Sequence, residues 1–248
     1  YDPTNLSANV KAQLDAVPTI FVDLILPKTS LICGDTITAA IDADIVKQNG
    51  TLDAAITSPH CKANVAGFVR RGVLSLREPL KADIILTPGL SRVLFKDANL
   101  IVVSAKTPMH VYIDPKNTAI PLTRFNWQNV RVGFGRFDFG QLIVASKGSA
   151  ADMVEILKLR SPNQVGLWFA PLDFSIYGGV MQIDRTEILY DMAYQIAVWG
   201  RVSFPKSYVD MTLGLTAQAL HRAFGLNVPE DFVLTVDFDG PFGNVKIN

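Results

Sequence analysis

The sequence predicts a mainly β fold of antiparallel strands with a few short helices. Apolar and polar residues alternate in one segment after another, as in Ile-Asp-Ala-Asp-Ile at residues 41–45. Such alternation is typical of strands that bury one face. Turn residues recur at short spacing between these segments, which favours hairpins over the long crossovers of a parallel sheet. Helical periodicity is limited to short stretches between the strands.

The composition limits the classes of partner that we expect. Of the 248 residues, 49% are hydrophobic and 19% are charged, with 23 Lys and Arg against 23 Asp and Glu. This balance lacks the basic excess of nucleic-acid-binding proteins, so nucleic acid is not an expected partner. No run of about 18 apolar residues suggests a membrane-spanning helix, and no signal peptide is recognisable. Because the sequence begins with Tyr1, we interpret it as a piece of a longer chain whose targeting or anchoring segment lies upstream.

The predicted strands cover most of the chain in order. They are 19–26, 41–46, 52–56, 65–69, 73–76, 81–87, 109–114, 130–139, 141–145, 165–169, 172–176, 180–183, 189–203, 209–215, 232–239 and 244–247. Asn49-Gly50 predicts a hairpin turn, because both residues tolerate the positive φ that such turns need. Without a Pro- or Ser-rich linker, the chain is expected to form a single domain over residues 1–248.

Four helices are expected between the strands. Residues 5–17 place apolar side chains at helical spacing and stop before Pro18. The others are 90–95, 149–159 and 216–224, the last ending before Gly225. The last three each follow an apolar strand, and their starts are about 60–66 residues apart. This spacing indicates repeat units near 1–90, 91–150 and 151–248.

Residues with catalytic chemistry are few and scattered. None of His60, His110 and His221 accompanies a nucleophile motif, and the glycines at 133–140 lack the spacing of a dinucleotide-binding loop. Acid pairs such as Asp237 and Asp239 are more typical of a solvated strand face than of a hydrolase, which stays a third hypothesis. Cys33 and Cys61 match no metal-ligand spacing and favour two small buried residues, with one bridge in an oxidising compartment as the alternative. We therefore expect no enzymatic activity, cofactor or metal.

The apolar strand faces are the remaining functional feature. The C-terminal strand at 232–239 has Phe232, Leu234, Val236 and Phe238 on one side, and burying such side chains stabilises by about 1.5–3 kcal/mol each. Either two sheets pack face to face, or one sheet curls around an apolar trough that short helices partly cover. In the second case the uncovered part is a binding surface for lipid, membrane or another protein.

The second half of the chain resembles the AsmA-like family, which includes AsmA, TamB and YhdP. The resemblance rests on the Gly178-Gly179 turn before a strand, the aliphatic strand ending in Gly-Arg-Val-Ser-Phe at 200–204, Val-Asp-Met-Thr-Leu at 209–213 with a short helix after it, and the close Asp239-Gly240-Pro241 followed by Val245. A similar unit lies at residues 63–88. The resemblance covers about residues 36–248, and Ser203 departs from it, since the family commonly has an acid there.

This resemblance implies a long, twisted antiparallel sheet curved into a gutter, with helices capping it. It implies non-catalytic phospholipid binding and transfer between the inner and outer membranes, in outer-membrane homeostasis and biogenesis. It places the chain in the periplasm, anchored to the inner membrane by a missing N-terminal segment, with phospholipid or another acyl-chain lipid and envelope proteins as partners. A structural or protein-interaction module of the cell envelope is the alternative.

The residues expected to line the lipid groove lie on the apolar sides of the predicted strands. They are Ile84, Leu86, Met109, Val111, Ile113, Leu172, Phe174, Ile176, Tyr190, Met192, Tyr194, Ile196, Val198, Val202, Val209, Met211, Leu213, Leu215, Phe232, Leu234, Val236 and Phe238. In the predicted strand 189–203, Trp199 alternates with this set, so its side chain is expected on the other side, facing outward or towards a helix.

Overall fold

The structure, a computed structural model, describes residues 7–24, 28–95, 101–123, 125–147, 155, 163–242 and 246–247. Of the described residues, 59% lie in strands and 14% in helices. The strand pairings reported below are all antiparallel. The mainly β, antiparallel fold predicted from the sequence is confirmed.

The chain divides into two compact units. Unit 1 comprises Tyr1–Ile85, Met109–Phe137 and Ser175–Val180, and unit 2 comprises Leu86–Pro108, Asp138–Phe174 and Met181–Asn248. The strands in the first half of the chain are β1 (Ala8–Pro18), β2 (Thr36–Val46), β3 (Asn49–Thr57), β4 (Cys61–Arg70), β5 (Val73–Leu76), β6 (Leu80–Ile84), β7 (Val102–Ala105), β8 (Met109–Ile113) and β9 (Ile120–Pro121).

The strands of the second half follow in the same style of short hairpins. They are β10 (Val132–Asp138), β11 (Gln141–Ala145), β12 (Gln164–Phe169), β13 (Leu172–Tyr177), β14 (Val180–Tyr190), β15 (Tyr194–Ser203), β16 (Tyr208–Thr216), β17 (Val233–Pro241) and β18 (Lys246–Ile247). The helices are α1 (Thr19–Asp23), α2 (Thr29–Cys33), α3 (Pro88–Leu94), a 3-10 turn (Trp127–Asn129) and α4 (Ala217–Phe224).

Within unit 1, successive strands pair as a meander. β1 pairs with β2, β2 with β3 and β3 with β4. β4 then pairs with β5 along one end and with β6 along the other, while β5 pairs with β9 and β6 with β8. Within unit 2, β7, β11, β12 and β14 form one run of neighbours, and β15, β16, β17 and β18 form another.

In residues 8–23 the order of strand and helix is the opposite of the one predicted. The segment 8–18 is a strand rather than a helix, and 19–23 is a helix rather than a strand. Val10 and Leu14, which are spaced for one face of a helix, also lie on one face of a strand because they are an even number of residues apart. Pairing along β2 decides between the two, since it matches Val10 with Ala43 and Leu14 with Ala39.

The hairpin between β2 and β3 turns two residues earlier than Asn-Gly predicts. Lys47 and Gln48 occupy the turn with φ of 47° and 69°, and Asn49 already pairs with Val46. The Asn49 side chain supports this turn, because its amide donates to the Lys47 carbonyl oxygen at 2.8 Å. Gly50 therefore serves the sheet rather than the turn.

The predicted strand 189–203 is wrong, because the chain reverses within it. β14 ends at Tyr190 and β15 starts at Tyr194, with Asp191 and Met192 at φ of 50° and 53°. Ala193 donates its amide hydrogen to the Tyr190 carbonyl oxygen at 3.1 Å and closes the turn. Two-residue hairpins favour this pair of positive φ values because their twist matches that of the flanking strands.

Two predicted helices are confirmed as α3 and α4. Each starts after a threonine whose hydroxyl accepts a backbone hydrogen bond, Thr87 from Leu90 and Thr216 from Ala219. Gly225, at φ 68°, ends α4 as expected. The predicted helix at 149–159 lies outside the described residues except for Glu155, which is helical.

Candidate functional site

One side of the sheet in unit 1 is almost entirely apolar. Strand registers place its members in rows that cross β1 to β6 and β8, and we call this surface the apolar face of unit 1. Its residues are Val10, Ala12, Leu14, Ile37, Ala39, Ile41, Ala43, Ile45, Gly50, Leu52, Ala54, Ile56, Cys61, Ala63, Val65, Gly67, Val69, Leu74, Leu76, Leu80, Ala82, Ile84, Met109, Val111 and Ile113. Alternation in the sequence produces this surface, because every second residue of a strand faces the same side.

Glycine allows one end of this face to pack tightly. Ile45, Gly50, Val69 and Leu74 are successive partners across β2, β3, β4 and β5. Ile45, Val69 and Leu74 belong to one buried cluster, against which Ile113 of β8 also packs. Adjacent strands are about 4.8 Å apart, so Ile45 and Val69 can meet across β3 because Gly50 has no side chain between them. Side chains from several strands therefore pack together at this end of the apolar face of unit 1.

Helices α1 and α2 cover the opposite end of the apolar face of unit 1. Cys33 of α2 and Val22 of α1 pack with Ile37 and Cys61 in a second cluster. The other sides of these helices are apolar and exposed, as Phe21 is 62% exposed. The helices thus act as a partial lid, and apolar side chains on its outer surface, such as Ile20 and Phe21, stay exposed in the described part of the chain.

The middle row of the apolar face of unit 1 lies between these clusters and stays accessible. It consists of Ala12, Ile41, Ala54 and Val65, which are cross-strand partners on β1, β2, β3 and β4. All four are half-buried, whereas the flanking rows contain fully buried members such as Ala39 and Ala43. Two of the four are alanine, so the side chains of the row project little from the sheet. The row spans about 14 Å across the four strands.

The reverse side of this sheet is polar, and its charges are paired across strands. Arg77 donates to Asp53 at 2.9 Å, and its guanidinium lies 6.0 Å from the centre of the Phe68 ring. Lys11 forms an ion pair with Asp42 at 3.3 Å. Exposed pairs of this kind contribute at most about 1 kcal/mol each, so they mark a solvated surface rather than a stabilising network.

A shallow, open depression of about 560 Å³ lies over this polar side. Its wall contains small residues such as Ala40, Ala55 and Ala66 together with Lys11 and Asp53, and also the four residues of the middle row, whose side chains point to the apolar side. Because its charges already pair with one another across the strands, the depression is a poor site for an acyl chain. The accessible apolar row on the other side is the better candidate.

Unit 2 repeats the two-sided arrangement in β15, β16 and β17. One side, the apolar face of unit 2, is formed by cross-strand rows of aliphatic and aromatic residues. These are Ile196, Val198, Val202, Val209, Met211, Leu213, Leu215, Leu234, Val236 and Phe238. Leu213 and Leu215 are buried, Val198, Met211, Val236 and Phe238 are half-buried, and Leu234 is 45% exposed.

The reverse side of these three strands has a ladder of polar contacts. Arg201 donates to Asp210, and Thr212 donates to Asp237 at 2.8 Å. Tyr208 donates its hydroxyl to Asp239, and this hydrogen bond, together with the desolvation and the carboxylate charge, raises the pKa of Tyr208 above its usual value. Asp237 and Asp239, which the sequence offered as a possible catalytic pair, thus each accept a hydrogen bond from a residue on the neighbouring strand.

Trp199 lies on this polar side, opposite Val198. The Arg185 guanidinium lies 5.6 Å from the centre of its ring, and Thr212 is its cross-strand partner. Gly214 makes room for the indole, because a Cβ there would come within 3.0 Å of the ring. The expected separation of Trp199 from the apolar residues of β15 therefore holds in the structure.

The structure brings most predicted groove residues onto shared faces. Ile84, Met109, Val111 and Ile113 join the apolar face of unit 1, and the ten residues named above form the apolar face of unit 2. Elsewhere among the predicted set, Leu86, Phe174, Ile176 and Tyr190 are buried, and Leu172 and Tyr194 are half-buried. That these residues line a lipid groove stays a prediction.

Three predicted groove residues lie outside strands. Leu86 is buried and follows β6, which ends at Ile84 although the strand was predicted to reach residue 87. Met192 is in the turn after β14 and is 50% exposed, because the strand it was assigned to ends at Tyr190. Phe232 precedes β17, is 42% exposed, and donates its amide hydrogen to Pro229 within the loop. None of the three belongs to the cross-strand rows of the apolar faces.

The N-terminal part of the apolar face of unit 1 is absent from the predicted groove. Ile41, Ala54 and Val65 carry its accessible row, yet the predicted groove residues begin at Ile84. The alternation at 41–46 and 52–56 is a sufficient signal for strands with one apolar side. The low hydrophobicity of alanine makes these strands less conspicuous than the aromatic-rich strands of the second half.

Other candidate chemistry is limited among the described residues. Nδ1 of His110 lies 2.6 Å from the Asp83 carboxylate, on the polar side of β8 and β6. Among the residues that the structure describes, no three His, Cys, Asp or Glu side chains converge as metal ligands would. A search of the same residues finds no helix with the length and apolar character needed to cross a membrane.

Comparisons with known proteins give no relative for this chain. No protein-family model matches it, no curated protein matches it, and no solved structure matches it.

Proposed function

We propose that this chain binds phospholipid or another acyl-chain lipid on the apolar faces of its two units. The observation that carries the proposal is the middle row of unit 1, where Ala12, Ile41, Ala54 and Val65 are all accessible between two buried clusters. A row closed by its neighbours would belong to an ordinary core. An accessible, low and apolar row is suited to a flexible hydrocarbon chain.

Energetics supports an acyl chain as the occupant. Each methylene group removed from water contributes about 0.8 kcal/mol, so ten of them contribute on the order of 8 kcal/mol before the cost of ordering the chain. The alanines of the row leave room for the chain beside the strands, and the branched side chains of Ile41 and Val65 supply contact area. This mode of binding needs no charged group and selects for chain rather than head group.

The polar faces support the same proposal from the other side. Ion pairs and hydrogen bonds such as Arg77 with Asp53 and Thr212 with Asp237 keep these surfaces stably hydrated. Bound lipid would therefore expose its head group to water at the edge of an apolar face. The sheet would carry the chain without chemistry, as a carrier rather than an enzyme.

Transfer of lipid in the bacterial envelope is the wider part of the proposal. It rests on the resemblance of residues 36–248 to the AsmA-like family, supported by the agreement in fold class. On this proposal the protein works in the periplasm, moves phospholipid between the inner and outer membranes, and contributes to outer-membrane homeostasis. Envelope proteins would be its further partners.

Lipid extraction from the purified chain tests the proposal. The protein is expressed in a bacterium, purified without detergent, and extracted with organic solvent for mass spectrometry. We expect phospholipid or fatty acid in a fixed ratio to protein, and exchange for an added phospholipid with a fluorescent acyl chain. Absence of co-purified lipid together with no binding of the fluorescent lipid would reject lipid binding and favour the interaction module.

A further inference from the structure

Two cysteines that are distant in the sequence meet in the core of unit 1. Cys33 is the last residue of α2 and Cys61 the first residue of β4, and they are 5% and 7% exposed. Both belong to the cluster that contains Ile37. Cys33 is near enough to Cys61 to contribute, after burial, to the raised pKa of the Cys61 thiol. The chain has two cysteines in all, so neither has another partner within it.

The backbone holds both cysteines in place. His60 donates its amide hydrogen to the Cys33 carbonyl oxygen at 3.3 Å, which ties the residue before Cys61 directly to Cys33. The Cys61 amide donates to the Ser58 hydroxyl at 2.9 Å, and this hydroxyl donates back to the Cys61 carbonyl oxygen at 2.9 Å. Gly34 donates to the Ser30 carbonyl oxygen at 2.9 Å and closes α2 behind Cys33. The backbone therefore holds the two cysteines close together in the fold.

We propose that Cys33 and Cys61 form an intramolecular disulfide when the chain folds in the presence of a disulfide oxidant. One cysteine thiolate attacks the oxidant and forms a mixed disulfide, releasing one oxidant thiol. The other thiolate attacks the protein sulfur of that mixed disulfide and releases the second oxidant thiol. Two protein thiols lose two electrons and two protons, and the oxidant is reduced to two thiols.

A disulfide at this position would stabilise the docking of α1 and α2 on the sheet. α1 and α2 contain five residues each, which is too short for a helix to be stable by itself in water. They nevertheless expose Ile20, Phe21 and Leu24, whose burial would favour other conformations of this segment. A covalent link from the end of α2 to β4 holds the partial lid in place against the apolar face of unit 1.

Folding is the stage at which the bond forms. Burial, with a further contribution from Cys33, raises the pKa of the Cys61 thiol to about 11. Since the thiolate is the reactive species, the folded and reduced protein exchanges slowly, whereas the unfolded chain exposes both thiols. Oxidation should therefore accompany refolding and be slow once the reduced chain has folded.

Refolding from denaturant in a glutathione redox buffer tests the inference. The expected product is a monomer whose mass is lower by two hydrogen atoms and which has no thiol reactive to a colorimetric reagent in denaturant. Its melting temperature should exceed that of the same sample with reductant by about 5–10 °C. Persistence of two free thiols, two glutathione adducts or a disulfide-linked dimer would overturn the inference.

Single-cysteine variants provide the control. Cys33→Ser and Cys61→Ser each retain one thiol and cannot form the internal bond. Both are expected to keep the same melting temperature with and without reductant, which separates the bond from other effects of the redox buffer. If the unmodified chain also shows no difference, the disulfide does not form, and the lipid proposal is unaffected because its test measures bound lipid whatever the state of the cysteines.

Discussion

Ile45 of β2 and Val69 of β4 belong to one buried cluster although Gly50 of β3 stands between them in the sheet. The glycine has no side chain to separate the two, and it follows the contour of the sheet with φ of 155°. A Cβ at this position would lie 1.7 Å from the Asp44 carbonyl oxygen. Close packing of Ile45 with Val69 across β3 therefore depends on glycine at this position.

Gly50→Ala is expected to lower the free energy of unfolding by at least about 2 kcal/mol, because the methyl group meets backbone that cannot move aside. Gly178→Ala is the matched control. Gly178 also has a positive φ, 59°, but nothing lies within 4 Å of the position that an alanine methyl group would take there, so only the left-handed conformation is penalised, by about 1 kcal/mol. Urea denaturation measures both, and equal losses would contradict this role of Gly50.

Two consecutive alanines of β3 lie on opposite faces of the sheet in unit 1. Ala54 is in the accessible apolar row, and Ala55 faces the polar side. Ala54→Phe fills the row and is expected to weaken binding of a fluorescent fatty acid about tenfold or more, the effect of losing about 1.4 kcal/mol. Ala55→Phe adds the same ring to the other face and is expected to stay within about twofold. Equal effects of both variants would place lipid elsewhere.

The turn after β14 contains a removable strain. Asp191 and Met192 both adopt positive φ, which costs about 1 kcal/mol for a residue such as methionine. Met192→Gly is expected to raise the free energy of unfolding by about 0.5–1 kcal/mol, a gain reduced by the greater flexibility of glycine in the unfolded chain. The urea midpoint should rise with an unchanged m-value. A fall in the midpoint would show that Met192 stabilises through its contacts instead.

The raised pKa of Tyr190 implies that the free energy of unfolding falls at alkaline pH. Burial, and secondarily the charge of Asp191, raises its pKa to about 12, whereas a tyrosine in the unfolded chain titrates near 10. Below pH about 10 the side chain is neutral in both states, and its full contribution to stability is present. Between pH about 10 and 12 the unfolded state ionises first, so the free energy of unfolding falls as pH rises.

Tyr190→Phe cannot ionise, so its free energy of unfolding should fall less steeply above pH about 9.5 than that of the unmodified chain. Urea denaturation at several pH values between about 8 and 11 measures the two slopes. The difference between the slopes matters, rather than the absolute stabilities, because loss of the hydroxyl also changes packing. Parallel curves for the two proteins would contradict the burial of Tyr190 in the folded state.

Sequence patterns predicted the fold class and the positions of β16 and β17 well. β15, β16 and β17 have strong period-two alternation with large apolar residues, and the pattern leaves one choice of buried face. Gly225 likewise identified the end of α4 from local chemistry alone. These features depend on neighbouring residues in the chain, so the sequence contains them directly.

The misplaced elements depend on contacts that are distant in sequence. Val10 and Leu14 fit one face of either a helix or a strand, and pairing with β2 decides for the strand. Asn49-Gly50 is a typical turn sequence, yet Gly50 lies inside the sheet, where the Asp44 backbone comes too close for any side chain. Met192 is not a typical residue for a turn position with positive φ, so the reversal after Tyr190 was hidden in an uninterrupted apolar alternation.

The accessible row of unit 1 escaped prediction for a related reason. Ala12 and Ala54 have little hydrophobicity of their own, and their importance comes from lying beside Ile41 and Val65 in the sheet. Strand register determines that alignment. A sequence pattern shows which residues share a face within a strand, but it does not show which of them are neighbours across strands.

Site-specific photo-crosslinking tests the central claim most directly. A photoreactive amino acid replaces Val65 on the apolar face of unit 1 or its neighbour Asn64 on the polar side, and Val236 or Thr235 in the same way in unit 2. After illumination with a radiolabelled phospholipid, we expect strong labelling at Val65 and Val236 and weak labelling at Asn64 and Thr235. Equal labelling within each pair, or stronger labelling on the polar sides, would contradict lipid binding on the apolar faces.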